Sequence, residues 1–236
     1  MNRFPTYAAL FVILAVSSCA GPDAERLHGT GFELRTQGSE LATVEHTGGG
    51  VAPFENSAER TRSGLQVDFG STVAAGVVQV FQEDWNYPGF ETYSLSGVLV
   101  GARGMQFVGE FDESKISLVM PWRVDASFAM GTTRDGGLVD ELGYRELHSE
   151  LGLGVNWNGL RLSLGASLSS IDGTGTFDSP QFGSGSASVR YLDLSGENLG
   201  IFFDVRYQPP SLPVYGNLRV STADDSGTSF GLGVRF

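Results

Sequence analysis

Three ionisable side chains in the middle of the chain have the spacing of a catalytic relay. Glu146, His148 and Glu150 occupy every second position of one run. If that run is a β-strand they share one face, so a carboxylate could orient the imidazole as it does in hydrolases. Ser149 would lie on the opposite face and could not reach His148, and the chain has no G-x-S-x-G elbow. We therefore interpret His148 as part of a structural charge network and expect no catalytic site.

The other histidines give no indication of a metal centre. His28 and His46 lie far from His148 and from each other, and neither belongs to a metal-ligand spacing. We expect no metal and no cofactor.

Alternation of apolar and polar residues runs through the chain from Gly64 onward. In residues 160–169 every second residue is Leu or Ala, and the residues between them are Arg, Gly or Ser. This period of two is typical of a β-strand with one apolar face. Turn signals such as Asn158-Gly159 and residues 195–198 (SGEN) separate the runs. We count eleven runs from Gly64, plus one or two before it, and no capped helix.

The polar face of these runs carries nearly balanced charge, diluted by glycine and serine. Opposite charges stand two residues apart in Arg123/Asp125 and in Asp204/Arg206, and Lys115 is the single lysine after Gly64. A water-exposed surface would be richer in lysine, so we interpret this face as a narrow lumen filled by ion pairs. The predicted network consists of Arg123, Asp125, Glu146, His148, Glu150, Arg161, Asp204, Arg206 and Arg219.

Composition limits the possible partners. The formal net charge is -12, so no basic surface is available to replace phosphate counterions and nucleic acid is excluded. The mean hydropathy of -0.03 is far below that of a helical membrane protein, and the 33 glycines disfavour long helices.

The first residues have the pattern of a bacterial export signal. Arg3 precedes an apolar run at residues 8–16, which is shorter than the ~20 residues of a membrane-spanning helix. The Val16-Ser17-Ser18-Cys19 sequence that follows resembles the bacterial lipobox. The resemblance implies cleavage after residue 18 and a lipid on Cys19, and the alanine after the cysteine implies transfer to the outer membrane. Ordinary cleavage after Ala20 is the alternative.

The last residues alternate up to a terminal aromatic ring. Phe230, Leu232, Val234 and Phe236 lie on one face, with Ser, Gly, Gly and Arg on the other. This strand resembles the C-terminal strand of bacterial outer-membrane barrels, and the chain as a whole resembles the broad outer-membrane protein A/W-like class. The resemblance implies that the barrel assembly machinery recognises this strand, that the protein contacts outer-membrane lipid, and that it lies in the cell outer membrane.

The expected fold is all-β, an antiparallel up-and-down transmembrane β-barrel of about 12 strands, with 8–12 possible. We expect a signal peptide at 1–18, a lipidated polar tether with one or two strands at 19–60, and the barrel at 61–236. Aromatic side chains such as Trp85, Trp157 and Tyr207 should form interfacial girdles. Two features fit poorly, namely Pro121 inside a run and Asn158-Gly159, a tight turn that this strand count places on the outer side.

The expected role is non-enzymatic, namely envelope structure, surface interaction or passage of small solutes by a monomer. Balanced lumen charge favours a plugged barrel over an open pore. The alternatives are a lipid-anchored, soluble, lipocalin-like ligand-binding barrel and, last, a barrel enzyme that acts on lipids. Alternation alone does not distinguish the first two, because they differ in whether the apolar face points inward or outward.

Overall fold

All regular elements in the described part of the chain are β-strands. The computed structural model describes residues 29–48, 51–71, 73–86, 92–111, 116–133, 141–178, 189–223 and 225–235. The expected signal peptide, Cys19 and Phe236 lie outside these residues. No helix in the described residues is long and apolar enough to cross a membrane. The strands are β1 (Gly29–Gly48), β2 (Val51–Gly70), β3 (Ala75–Asn86), β4 (Thr92–Phe111), β5 (Ile116–Thr133), β6 (Glu141–Trp157), β7 (Leu160–Asp178), β8 (Val189–Tyr207), β9 (Val214–Ala223) and β10 (Asp225–Arg235).

These strands form one closed antiparallel barrel. Each strand pairs with the next along the chain, and β10 pairs with β1 from Gly31↔Arg235 to Leu41↔Asp225. Closure satisfies the backbone hydrogen bonds of every strand, which an open sheet in lipid could not do. The expected fold class is confirmed, but the barrel has ten strands instead of about 12.

The strand count was too high because two strands continue through residues that resemble turns. Residues 195–198 were expected to separate two strands, yet they pair with Ser169–Asp172 of β7 as part of β8. Gly104 likewise lies within β4, opposite Trp122 of β5. Each segment is paired with its neighbour on β7 or β5, and this tertiary pairing overrides the local turn preference.

The barrel wall begins at Gly29, much earlier than the boundary at residue 61 that we expected. β1 and β2 pair along nearly their whole length, from Gly29↔Gly70 to Gly48↔Val51. Residues such as Glu59, Thr61 and Ser63 are polar and point outward from this part of β2. The contrast between apolar and polar faces is therefore absent there, which is why the segment looked like a tether.

The wall is apolar outside and polar inside. Leu34, Leu164 and Leu199 are 66%, 59% and 68% exposed, whereas Glu33, Gln66 and Ser163 are almost fully buried. This is the polarity of a membrane barrel and the reverse of a lipocalin-like one, whose interior is apolar. Other outward apolar side chains are Phe32, Leu65, Phe69, Val80, Val98, Val100, Phe128, Leu147, Leu151, Leu153, Ile201, Phe203, Val214, Leu218, Val220, Phe230 and Leu232.

One end of the barrel has short connections. β1 begins and β10 ends at the end where between two and six residues connect β2 to β3, β4 to β5, β6 to β7 and β8 to β9, whereas the two longest connections, of seven and ten residues, lie at the opposite end. Shorter connections mark the periplasmic side of outer-membrane barrels. We call this the periplasmic end and the opposite one the outer end. Asn158 and Gly159 have φ values of 46° and 83°, both left-handed as a two-residue hairpin requires. With ten strands, this turn lies at the periplasmic end, so the expected conflict disappears.

Pro121 lies within β5 and interrupts one ladder. The β5–β6 pairing continues from Val119↔Gly154 to Trp122↔Leu151, with no pairs for the two residues between. On its other side Pro121 pairs with Met105 of β4. A residue without an N–H is accommodated because one neighbour leaves a gap in the ladder.

The barrel narrows toward the outer end. β9 and β10 form a short hairpin, and beyond it β1 pairs directly with β8 through Glu45↔Ser195, His46↔Leu194 and Thr47↔Asp193. The ring thus has ten strands at the periplasmic end and eight at the outer end. Because barrel diameter grows with strand number, the outer lumen is narrow enough for side chains to fill it.

Candidate functional site in the barrel lumen

A buried network of hydrogen-bonded charges crosses the outer part of the lumen. We call it the outer network, and it consists of Arg60 and Arg62 from β2, Glu83 from β3, and Tyr144 and Glu146 from β6. Arg60 binds both carboxylate oxygens of Glu146, with Nη1–Oε2 and Nη2–Oε1 distances of 3.1 and 3.3 Å. Arg62 Nη2 donates to Glu146 Oε2 at 2.9 Å and to the Tyr144 hydroxyl at 2.8 Å.

Glu83 is the most buried carboxylate of this network. It accepts hydrogen bonds from Arg62 Nε, from Trp85 Nε1 and, at 2.7 Å, from the Tyr144 hydroxyl. Its side chain is 0% exposed. Three donors compensate the carboxylate for the loss of water, which is the condition under which a charge can be buried.

Apolar side chains fill the space around the outer network. Trp85 is 0% exposed and packs against Tyr144 with ring centroids 5.1 Å apart, and the Arg62 guanidinium lies 4.2 Å from the Phe81 ring centroid. Leu95, Leu142 and Ile171 complete this cluster. Our expectation that Trp85 lies in an interfacial girdle is therefore wrong, whereas Trp157 and Tyr207 are half-exposed on the outer wall.

A second group, the central cluster, lies below the outer network. Arg123 pairs with Asp125 along β5, as the spacing predicted. Glu150 joins β6 to β9 because it accepts from both His148 and Arg219. Arg35 Nη2 donates to Ser229 Oγ at 3.2 Å. A cavity of about 50 Å³ separates this cluster from the outer network, which is room for very few water molecules.

The geometry around His148 is that of a structural pair. His148 Nε2 contacts Glu150 Oε1, while the other candidate carboxylate, Glu146, is occupied by two arginines. No group of three or more potential metal ligands lies together in the described residues. The three predicted relay residues are therefore divided between two charge clusters. Glu146 lies in the outer network, and His148 and Glu150 lie in the central cluster.

The periplasmic half of the lumen is open. We call its cavity, of about 610 Å³, the periplasmic vestibule. Arg103 of β4 pairs there with Asp68 of β2, and Arg161 Nη2 of β7 lies 3.1 Å from Asp204 Oδ2 of β8. Turn residues 208–213 line its mouth.

Arg206 does not form the ion pair that its spacing suggested. Asp204 pairs with Arg161 on the neighbouring strand, and among the described residues no carboxylate lies within ion-pair distance of Arg206. The Arg206 guanidinium instead lies 3.9 Å from the ring centroid of Tyr215. The Tyr215 hydroxyl in turn donates to Glu33 Oε2 at 3.0 Å.

The nine predicted network residues are divided among three groups, and sequence reasoning missed the outer network's main members. Five of the nine lie in the central cluster, namely Arg123, Asp125, His148, Glu150 and Arg219. Glu146 lies in the outer network, whereas Arg161, Asp204 and Arg206 line the vestibule. Arg60 was not predicted because residues up to 60 were read as a tether, and Arg62 and Glu83 were missed because they lie outside the alternating runs that we recognised. A signal was present, because Arg60 and Arg62 are two residues apart and therefore share one face of a strand, as Glu83 and Trp85 do. The vestibule residues missed were Arg35, Asp68, Arg103 and Arg235.

The final strand has the predicted faces. Phe230 and Leu232 are 55% and 52% exposed on the apolar outer wall, and Val234 is on the same face. Ser229 on the opposite face is buried in the lumen. Whether this strand is also an assembly signal stays a prediction.

Comparisons with known proteins give structural neighbours only. No protein-family model matches the chain, and no curated protein matches it. The translocator domain of autotransporter NalP from Neisseria meningitidis is similar at a TM-score of 0.46 and 13% identity, over 98% of this chain and 97% of that one. The transport unit of the autotransporter AIDA-I from Escherichia coli has a TM-score of 0.45 at 10% identity, over 98% and 97%. Ail, the attachment invasion locus protein of Yersinia pestis, has a TM-score of 0.30 at 14% identity, over 87% and 99%.

The polarity of the barrel wall identifies the class of protein. A closed sheet with an apolar exterior and an ion-paired interior is stable in a bilayer and would be insoluble in water. The chain is an outer-membrane β-barrel. Its strands reach 20 residues, whereas about 9–11 residues cross a bilayer, so the wall extends beyond the membrane.

Proposed function

We propose that the chain is a closed outer-membrane barrel with a non-enzymatic role in envelope structure or in interactions at the cell surface. The observation that carries this proposal is the filled outer lumen. The outer network and Trp85 lie across the lumen, in the path that a solute would take through the barrel. Passage of small solutes would need a continuous water path, which this packing opposes.

Solute entry into vesicles tests this proposal. Vesicles that contain the wild-type chain should take up a small sugar no faster than protein-free vesicles. The Arg62→Ser/Glu83→Ser double variant removes both charges of one ion pair in the outer network, and vesicles that contain it should take up the sugar. Arg145 and Asp172 form a matched exposed pair on the outer wall, so the Arg145→Ser/Asp172→Ser variant should stay closed. Rapid uptake by the wild type would refute the closed barrel.

We infer that the barrel is a monomer surrounded by outer-membrane lipid. Closure leaves no free sheet edge for a second copy to extend, and the apolar outer wall is continuous around the ring. The apolar face of β10 supports recognition by the barrel assembly machinery, in line with the resemblance of this strand to C-terminal strands of the outer-membrane protein A/W-like class.

We also propose that Cys19 carries lipid. The lipobox-like residues 16–19 support this, and β1 begins ten residues later at the periplasmic end. One acyl chain binds membranes weakly, whereas several anchor a protein stably. Mass spectrometry of the mature N-terminus should find an acylated cysteine. An unmodified chain that starts at Gly21 would contradict the proposal.

A further inference from the structure

The periplasmic vestibule has a volume of about 610 Å³, and arginines dominate its lining. Seven arginines and three carboxylates contribute to it. This is the opposite of the overall composition, since the whole chain has a formal net charge of -12. The positive lining is therefore a local feature of this cavity.

Three of these arginines have no carboxylate partner among the described residues. Arg103, Arg123, Arg161 and Arg219 each form an ion pair with Asp or Glu. The remaining three, Arg35, Arg206 and Arg235, form none. Of the three, Arg35 is buried, whereas Arg206 and Arg235 are partly exposed. A buried cation without a counter-charge is unfavourable, so an anion that enters the cavity would stabilise the protein.

Two of the unpaired arginines are held in place for such an anion. Arg35 is 8% exposed, and its buried Nε has no hydrogen-bond partner. Arg206 is stacked on Tyr215, which Glu33 holds by a hydrogen bond, so its guanidinium is oriented while its N–H donors are not used by a carboxylate. Guanidinium groups offer paired N–H donors that match the oxygens of phosphate and carboxylate groups.

The size and the wall of the cavity define the ligand further. A volume of about 610 Å³ lies within the usual range for small-molecule sites, ~300–1,000 Å³. Phe202 and Met105 add apolar surface beside the arginines. Entry must occur at the mouth formed by residues 208–213, because the outer network closes the other side.

We propose that the periplasmic vestibule is a binding site for a compact organic anion that carries phosphate or carboxylate groups and enters from the periplasm. Arg206 and Arg235 would bind the charged group near the mouth, and Arg35 would attract it from the inner wall. The proposal does not depend on the surface role of the barrel, because it concerns the opposite end of the lumen.

Calorimetric titration of the full chain in a non-ionic detergent tests the site, with phenyl phosphate as the probe and phenol as its uncharged counterpart. Phenyl phosphate should bind saturably at one site and more weakly as salt is added, whereas phenol should give no saturable heat. Arg206→Gln and Arg235→Gln should each weaken binding at least tenfold. Arg145→Gln, which changes an exposed arginine of the outer wall, should leave binding unchanged.

A lipid headgroup could supply the same phosphate chemistry, so dihexanoyl phosphatidic acid is titrated in parallel. Tighter binding of this lipid than of phenyl phosphate would identify a lipid as the source of the anion, and weaker binding would identify a free solute. The proposal is refuted if phenyl phosphate binds no better than phenol, or if Arg206→Gln and Arg235→Gln, shown to be folded by their gel mobility without boiling, bind it as the wild type does.

Discussion

Arg62 donates hydrogen bonds to four side chains in and beside the outer network. It donates to Glu83, Tyr144, Glu146 and, at 3.4 Å, to Ser127 Oγ. Removing one partner of a buried pair leaves the other charge uncompensated, which costs about 3–5 kcal/mol. We predict that Arg62→Gln lowers the free energy of unfolding by about 3 kcal/mol, measured by urea unfolding in vesicles with tryptophan fluorescence.

An exposed pair provides the control for Arg62. Arg145 and Asp172 pair on the outer wall with side chains 65% and 53% exposed. Exposed pairs contribute at most about 1 kcal/mol, so Arg145→Gln should have little effect. Equal losses in the two variants would mean that the outer network is not a buried, stabilising unit.

His148 is a further lumen residue whose contacts are those of an ion pair. Its ring contacts Glu150, which also accepts from Arg219, and this arrangement is that of a charge pair. We predict that His148→Ala leaves the phospholipid and lipid A acyl composition of the envelope unchanged, as read by mass spectrometry of extracted lipids. An altered acyl pattern in cells that contain folded His148→Ala protein would favour a lipid-modifying enzyme.

At the scale of the strand, one face of β10 meets lipid and the other meets the lumen. Leu232 is half-exposed on the outer wall, whereas Ser229 is buried beside Arg35. A charge that faces lipid near the middle of the bilayer costs up to about 2–4 kcal/mol, somewhat less for Asp. We predict that Leu232→Asp and deletion of Phe236 each block insertion, seen as loss of the faster-migrating unboiled band on a gel.

The same substitution on the lumen face is the matched control. Ser229→Asp would place a carboxylate next to Arg35, which has no carboxylate partner among the described residues, so insertion should proceed. Blocked insertion with Ser229→Asp and normal insertion with Leu232→Asp would mean that the two faces of β10 are assigned in reverse.

The strands differ in how far their sequence predicts them. β7 up to residue 169 and β10 from residue 229 have clear alternation of apolar with mostly small residues, and their two faces followed from that pattern. β1 was expected only as one or two short strands within the tether, and the first half of β2 was missed because residues such as Glu59, Thr61 and Ser63 make its outward face polar. β8 was divided at residues 195–198, since their pairing with β7 and the absence of a turn depend on residues distant in sequence.

The residues that line the lumen could be predicted from the sequence, whereas the ion pairs that they form could not. Period two placed Arg161, Asp204 and Arg206 on the inner face, and the structure has all three lining the vestibule. Which arginine Asp204 selects depends on the register of β7 against β8, where Ser163 faces Asp204 and Arg161 faces Arg206. Register between strands is a tertiary property, so spacing within one strand selected the wrong partner.

At the scale of the whole molecule, the change from ten strands to eight gives the lumen two different ends. The narrow outer end is filled by paired charges and aromatic rings, and the wide periplasmic end contains the vestibule. A short β9–β10 hairpin is sufficient to produce this taper, because it lets β1 and β8 meet above it. The proposed closure of the outer end and the proposed anion site would therefore both follow from the short length of one hairpin.

The central claim is that the apolar face of the wall meets lipid while the polar face lines a lumen that opens to the periplasm. Nitroxide labels at single cysteines in a Cys19→Ala background test it, with the chain reconstituted in vesicles. Leu164 and Ser163 are neighbours on opposite faces of β7, as are Leu218 and Asn217 on β9, and both Ser163 and Asn217 line the vestibule. Labels at 164 and 218 should be relaxed by oxygen dissolved in the bilayer and shielded from a water-soluble nickel chelate, and labels at 163 and 217 should show the reverse. Oxygen access at 163 and 217 with nickel access at 164 and 218 would contradict the account.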